Sequence, residues 1–134
     1  MYSRDDYLKD CYSVEHSSGL EKTEAAFRKE CFENGRTYMI SEIFPEYAEK
    51  FSSSYGKIHV AGKIYDEKDL YITSNSSVEL QNLYDRRSNL LKDFKCSLDI
   101  LPKLGNPEAK LKCYRNLVKL EEQIIAIEEE ISNY

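Results

Sequence analysis

In the last third of the chain, Cys113, Leu117, Leu120, Ile124, Ile127, Ile131 and Tyr134 recur at alternating spacings of four and three residues. That alternation holds one apolar stripe on the side of a helix that meets a partner helix. A second run, Leu80, Tyr84, Arg87, Leu91, Phe94, Leu98 and Leu101, carries a stripe of the same kind. Between them lies the connector Pro102-Lys103-Leu104-Gly105-Asn106-Pro107. A link this short makes the two helices antiparallel neighbours. Pro107 suits a first helical turn, where its missing N–H costs nothing. Ser76 or Ser77 supplies an N-cap for the earlier helix.

Folding the chain about this connector sets Cys96 level with Cys113, and Arg87 level with Glu121. Arg87 is the one charge on its stripe, and a buried cation without a partner is costly, so a structural ion pair with Glu121 is expected. Cys96 and Cys113 form a disulfide if the compartment is oxidising. Cys11 and Cys31 match less well across their own helices and read as small buried hydrophobes. Leu83, Leu90, Val118 and Ile125 flank the stripes and widen the apolar face. The N-terminal half, or a second copy of the chain, must cover it.

The N-terminal half, residues 1–52, reads as helices. Ser3-Arg4-Asp5-Asp6 opens the first, with a cap and two carboxylates in the positive first turn. It ends near Glu15–His16. A second runs from about Leu20 to Asn34, stopped by Gly35. A third pattern, Ile40, Ile43, Phe44, Tyr47 and Phe51, is interrupted by Pro45, where a break is expected. Residues 57–73 change period. Ile58, Val60, Ile64, Leu70 and Ile72 alternate with polar or small residues, which predicts a β-hairpin. Placing its turn at Asp66–Asp69 sets Ile64 opposite Leu70 and all the aliphatic side chains on one face. A turn at Ala61-Gly62 gives three short strands instead. The chain has 134 residues, which favours one domain. The expected fold is mainly α with a minor β part: a helical bundle built on the antiparallel hairpin of residues 76–134, with the β-hairpin inserted.

Chemistry is sparse. There are two histidines, His16 and His59, and no Cys-x-x-Cys pair or glycine-rich phosphate loop. No catalytic, cofactor-binding or metal-ligating set is expected. The formal net charge is −5, which disfavours direct nucleic-acid binding and is compatible with a basic protein partner. No run of 18 apolar residues is present, so no membrane span is expected. The first residues lack the apolar core of a signal peptide, which points to the cytoplasm, or to an oxidising compartment if Cys96 and Cys113 are bridged.

Tyrosine is unusually frequent. There are eleven in the chain, and Tyr2, Tyr7, Tyr12, Tyr38, Tyr47, Tyr55, Tyr65 and Tyr71 precede residue 75. Tyrosine covers contact area at low entropy cost and brings a hydroxyl. Tyr55, Tyr65 and Tyr71, around the β-hairpin, are the expected partner-binding residues. The function expected from these features is non-enzymatic: an inhibitor, adaptor or immunity-type module that binds another protein. Small acidic proteins of this kind are frequent among the anti-defence factors of phage and mobile elements, an association and not a resemblance of residues. One alternative is a dimeric helical-bundle subunit of a larger assembly. Another is a small ligand-binding protein or enzyme, favoured if His16 or His59 shares a deep pocket with carboxylates.

Overall fold

The computed structural model describes residues 1–47, 57–73 and 77–134. The described elements, in chain order, are α1 (Arg4–His16), α2 (Gly19–Glu33), α3 (Thr37–Ile43), β1 (Ile58–Val60), β2 (Lys63–Tyr65), α4 (Val78–Ile100) and α5 (Pro107–Ser132). Short 3-10 turns follow α3, β2 and α4. None of the described helices is long and apolar enough to cross a membrane.

α4 and α5 form the expected antiparallel hairpin. Ser77 caps α4 by accepting a hydrogen bond from the Leu80 amide at 3.0 Å. Asn106 caps α5 through the amides of Glu108 and Ala109, with Pro107 at the first helical position. Leu91 and Phe94 from one stripe, and Leu117, Leu120, Ile124 and Ile127 from the other, are buried. The outer face is covered in part from within the chain: Leu83, Leu90 and Val118 are half-buried, while Ile125 stays 46 % exposed. α2 lays Phe27 on Tyr114 of α5, with stacked rings 4.3 Å apart. Phe44 closes the aromatic cluster at 5.9 Å from Tyr114. Met39 and Ile40 of α3 complete the core beside it.

α1 is held at its start by the expected cap, in which Ser3 and Asp6 each accept a hydrogen bond from the other's backbone amide. It pairs with α2 through Asp10, whose carboxylate takes Arg28 at 3.0 Å and also accepts from the Tyr2 hydroxyl. α3 ends at Ile43, one residue before Phe44, as Pro45 requires; Pro45–Tyr47 form a 3-10 turn.

The β-hairpin is shorter than expected and takes the alternative turn rather than the one at Asp66–Asp69. Its turn is Ala61-Gly62, with φ of 51° and 82°. Two positive φ values in a two-residue loop match the right-handed twist of the strands it joins. The register pairs Ile58 with Tyr65, His59 with Ile64 and Val60 with Lys63. Ile58, Val60 and Tyr65 therefore face the core, while Ile64 shares the opposite face with His59. The expectation that all the aliphatic residues lie on one side is thus corrected. No third strand forms in the described segment after β2. Asp66 and Asp69 cap each other instead, and residues 67–71 coil into a 3-10 turn. α4 then captures the carbonyls of that turn: Ser88 donates to Leu70 at 2.8 Å, and Arg87 to Asp69 at 3.4 Å.

Candidate functional site

Of the three tyrosines expected at a binding surface, Tyr65 is only 6 % exposed and belongs to the core. Tyr71 is 66 % exposed, with the Lys92 ammonium 5.4 Å from its ring centroid. Tyr55 lies outside the described residues. Tyr65 and Tyr71 are therefore not two halves of one surface. The strand register decides this, because it turns Tyr65 inward beside Ile58.

Arg87 and Glu121 do not pair. Arg87 reaches Glu128, with Nη1 at 2.6 Å from the carboxylate. Its guanidinium also lies over the rings of Tyr84 and Tyr65, at 5.2 and 5.6 Å. Helical side chains lean toward the N-terminus of their own helix. In an antiparallel pair each residue therefore meets partners beyond the level one, and long Arg and Glu side chains amplify the offset. Burial would raise the Glu128 carboxyl, but hydrogen bonds from Arg87 and Lys63 outweigh it and hold it below its ordinary value. The same lean separates the two hairpin cysteines. Cys96 is exposed and Cys113 half-buried, both as free thiols. The Cys113 thiol donates to the Ser97 carbonyl at 3.4 Å. Cys31 is buried, and that burial pushes its thiol up to about 12. This is the inert hydrophobe expected of it.

The described residues do build one site, at the junction of the N-terminus, α2, α3 and the β-hairpin. A cavity of about 470 Å³ opens there. Tyr2, Phe32 and Tyr47 form an aromatic wall, with ring centroids 5.6 Å apart for Tyr2–Phe32 and 5.1 Å for Tyr2–Tyr47. Ser41, Glu42 and His59 supply polar groups. At the rim stand Met1, Tyr38 and Ile64, three large apolar side chains that are all exposed, Tyr38 by 56 % and Ile64 by 58 %. The Tyr38 ring lies so close over Gly62 that a β-carbon there would fall 2.9 Å from it. Glycine thus serves two needs at this turn: a positive φ and room for the tyrosine.

Glu42 is the chemically distinctive member. Its carboxyl accepts from the Gly62 amide at 3.4 Å, while the second oxygen is buried with no hydrogen-bond partner among the described residues. Burial first, and the charge of Glu121 second, raise it to about 8. Glu121 is itself 6 % exposed and is raised by burial, partly offset by Arg36. The Arg36 guanidinium is engaged with Glu122, and Arg28 with Asp10, so neither cation neutralises Glu42. His59 is lowered by burial and by Lys57, and stays neutral at pH 7. His16 lies apart, stacked on Tyr12 with ring centroids 4.0 Å apart. Among the described residues no group of three or more His, Cys, Asp or Glu side chains is arranged to hold a metal ion.

The raised carboxyl has a measurable consequence. Between its ordinary value of 4.5 and its folded value of about 8, Glu42 keeps a proton in the folded state that the unfolded chain has lost. Its contribution to stability therefore falls as pH rises through that window and stays low above it, by up to about 1.4 kcal/mol per unit. Glu121 acts in the same direction and His59 in the opposite one. The wild type is expected to lose more stability between pH 5 and pH 8.5 than Glu42→Gln does, as read by urea midpoints. Parallel profiles for the two proteins would show that Glu42 titrates normally.

Sequence reasoning passed over this site because its members come from five separate segments. Glu42 gave one local signal, a carboxylate one residue before the buried Ile43 and Phe44. Such a position on a short helix is usually solvated. Compared with protein-family models, with curated proteins and with solved structures, the chain shows no significant match to any. The reading of the site rests on its own chemistry.

Proposed function

We propose that this protein is a non-enzymatic interaction module, an inhibitor or adaptor that binds another protein through the cavity bounded by Met1, Tyr38 and Ile64. The observation that carries the reading is the meeting of three exposed apolar side chains at the mouth of one aromatic-walled cavity. Apolar anchors around a concave centre are the arrangement in which a few residues supply most of the binding energy. The expected binding role is retained, and its surface is moved from Tyr65 and Tyr71 to this rim. The dimeric-scaffold alternative has less to draw on, since α2 already packs on α5 and the bare remainder of the hairpin's flank is centred on the single exposed side chain of Ile125.

A charge-neutral double variant, Tyr38→Ala with Ile64→Ser, tests the reading without touching the core. Affinity capture from the native source, quantified by mass spectrometry, is expected to return a protein with the wild type that the double variant recovers at least about tenfold less well. Circular dichroism and the melting temperature should change little, because both side chains are more than half exposed. Equal recovery by wild type and variant would remove this rim as the contact surface.

A second reading, a small ligand-binding protein or enzyme, draws on one observation. His59 and Glu42 line the same cavity. Apolar cavities with a few convergent polar groups and a displaced carboxyl are common ligand sites. A free small molecule would fill the cavity without engaging the exposed rim, and the probes described next separate the two.

A further inference from the structure

We infer that the cavity beside Glu42 receives one cationic side chain, a lysine or arginine of the partner protein, with the aromatic wall around its stem and the carboxylate against its charge. The inference rests on the proposed binding role and gives it a chemical class of ligand. Three observations converge. The wall is built of Tyr2, Phe32 and Tyr47, and aromatic faces attract ammonium and guanidinium groups as well as their methylene stems. The carboxyl of Glu42 lacks an ion-pair partner among the described residues, and one of its oxygens has no hydrogen bond there. The charge of Glu121 acts on Glu42 from outside the cavity lining, while Arg36 and Arg28 are held by Glu122 and Asp10. The site has thus placed anionic capacity where no described cation of the chain meets it. The net charge of −5 favours the approach of a basic partner to the chain as a whole. An anionic group would meet the Glu42 carboxyl without attraction, and a neutral donor would bond its oxygen without the charge assistance a cation brings.

Binding and protonation are then linked. In the empty site Glu42 carries its proton at pH 7, and an entering cation displaces it. The groups that bear on this step are Glu121 from α5, His59 from β1, Arg36 before α3 and the backbone amides of the Ala61-Gly62 turn. Affinity for a permanently charged ligand should rise with pH until Glu42 is ionised in the free protein, and then level off.

The test uses the full chain and four probes followed by NMR titration. They are Nα-acetyl-arginine N-methylamide, the matching lysine derivative, the citrulline derivative as the uncharged isostere of arginine, and agmatine as a free cation without the peptide frame. The arginine or lysine derivative is expected to saturate with shifts at Tyr38, His59 and Ile64. The citrulline derivative should bind at least about tenfold more weakly, as expected for loss of a charge-assisted contact. Glu42→Gln should lose the same factor for the cationic probes and should abolish the rise in affinity between pH 6.5 and 8.5. Equal binding of arginine and citrulline derivatives, or full binding by Glu42→Gln, would overturn the inference. Agmatine binding more tightly than both blocked amino acids would overturn the assignment to a partner's side chain and favour a free small molecule. Failure here is distinguishable from failure of the binding role. A partner lost by the Tyr38→Ala, Ile64→Ser variant but kept by Glu42→Gln leaves the rim as a contact surface and rejects the cation.

Discussion

Replacing Arg87 with Ala is expected to destabilise the protein by about 3–5 kcal/mol, because it leaves the carboxylate of Glu128 half-buried with only Lys63 beside it. For a chain of this size that corresponds to a melting temperature lower by roughly 11–18 °C. The pair does more than neutralise charge. Arg87 donates to the Asp69 carbonyl of the 3-10 turn and lies over Tyr65 from β2. It thereby joins α4, α5, that turn and the β-hairpin at one point. Glu128→Ala should be costly for the reciprocal reason, leaving a guanidinium in a site where its residue is 7 % exposed. Removing both charges, as in Arg87→Met with Glu128→Leu, should cost less than the two single changes added together. A double-mutant cycle in urea measures this coupling. The same cycle run on Arg87 and Glu121 should return a coupling near zero, since those two are not in contact. A large Arg87–Glu121 coupling would show that the register described here is wrong.

Tyr114 carries the second large effect, and its sign depends on what is removed. The ring is fully buried between Phe27 and Phe44, so Tyr114→Ala should cost about 3–5 kcal/mol. Its hydroxyl, however, is buried without a hydrogen-bond partner among the described residues. Leaving a polar group unsatisfied costs about 1–3 kcal/mol. Tyr114→Phe should therefore be neutral or stabilising by about 1 kcal/mol. Equilibrium urea unfolding of both variants checks the pair of expectations. A loss of more than 1 kcal/mol for Tyr114→Phe would mean that the hydroxyl is bonded in solution.

Much of the helical architecture was open to reading from residue order. The stripes of α4 and α5 obey a local period, and their caps are local chemistry: Ser77 three residues before Leu80, Asn106 before Pro107, Ser3 with Asp6. Pro45 stopped α3 where its ring demands. The β-hairpin was legible in kind but not in register. Asp66-Glu67-Lys68-Asp69 looks like a polar loop between strands, yet its two aspartates cap one another, and α4 holds the carbonyls that a third strand would have used. With the turn at Ala61-Gly62, one strand shift reversed the faces of Ile64 and Tyr65. That reversal moved the candidate surface, because it exposed an aliphatic side chain and buried the tyrosine expected to bind.

The candidate site itself was hidden from any single stretch. Glu42, Tyr38, Tyr2, Phe32 and Ile64 each look ordinary in place, and only packing brings them around one cavity. The same holds for Arg87, whose need of a carboxylate was evident while the choice of Glu128 over Glu121 was not. Periodicity and capping act between residues a few positions apart, so the order of the chain is enough to specify helices, their ends and the fold-back of α4 on α5. Which distant side chains meet depends on the direction in which each Cα–Cβ bond leans, on strand register and on what each burial displaces. Those are properties of the assembled core, and they settled the ion pair, the fate of the tyrosines and the buried carboxyl of Glu42 that no described cation pairs.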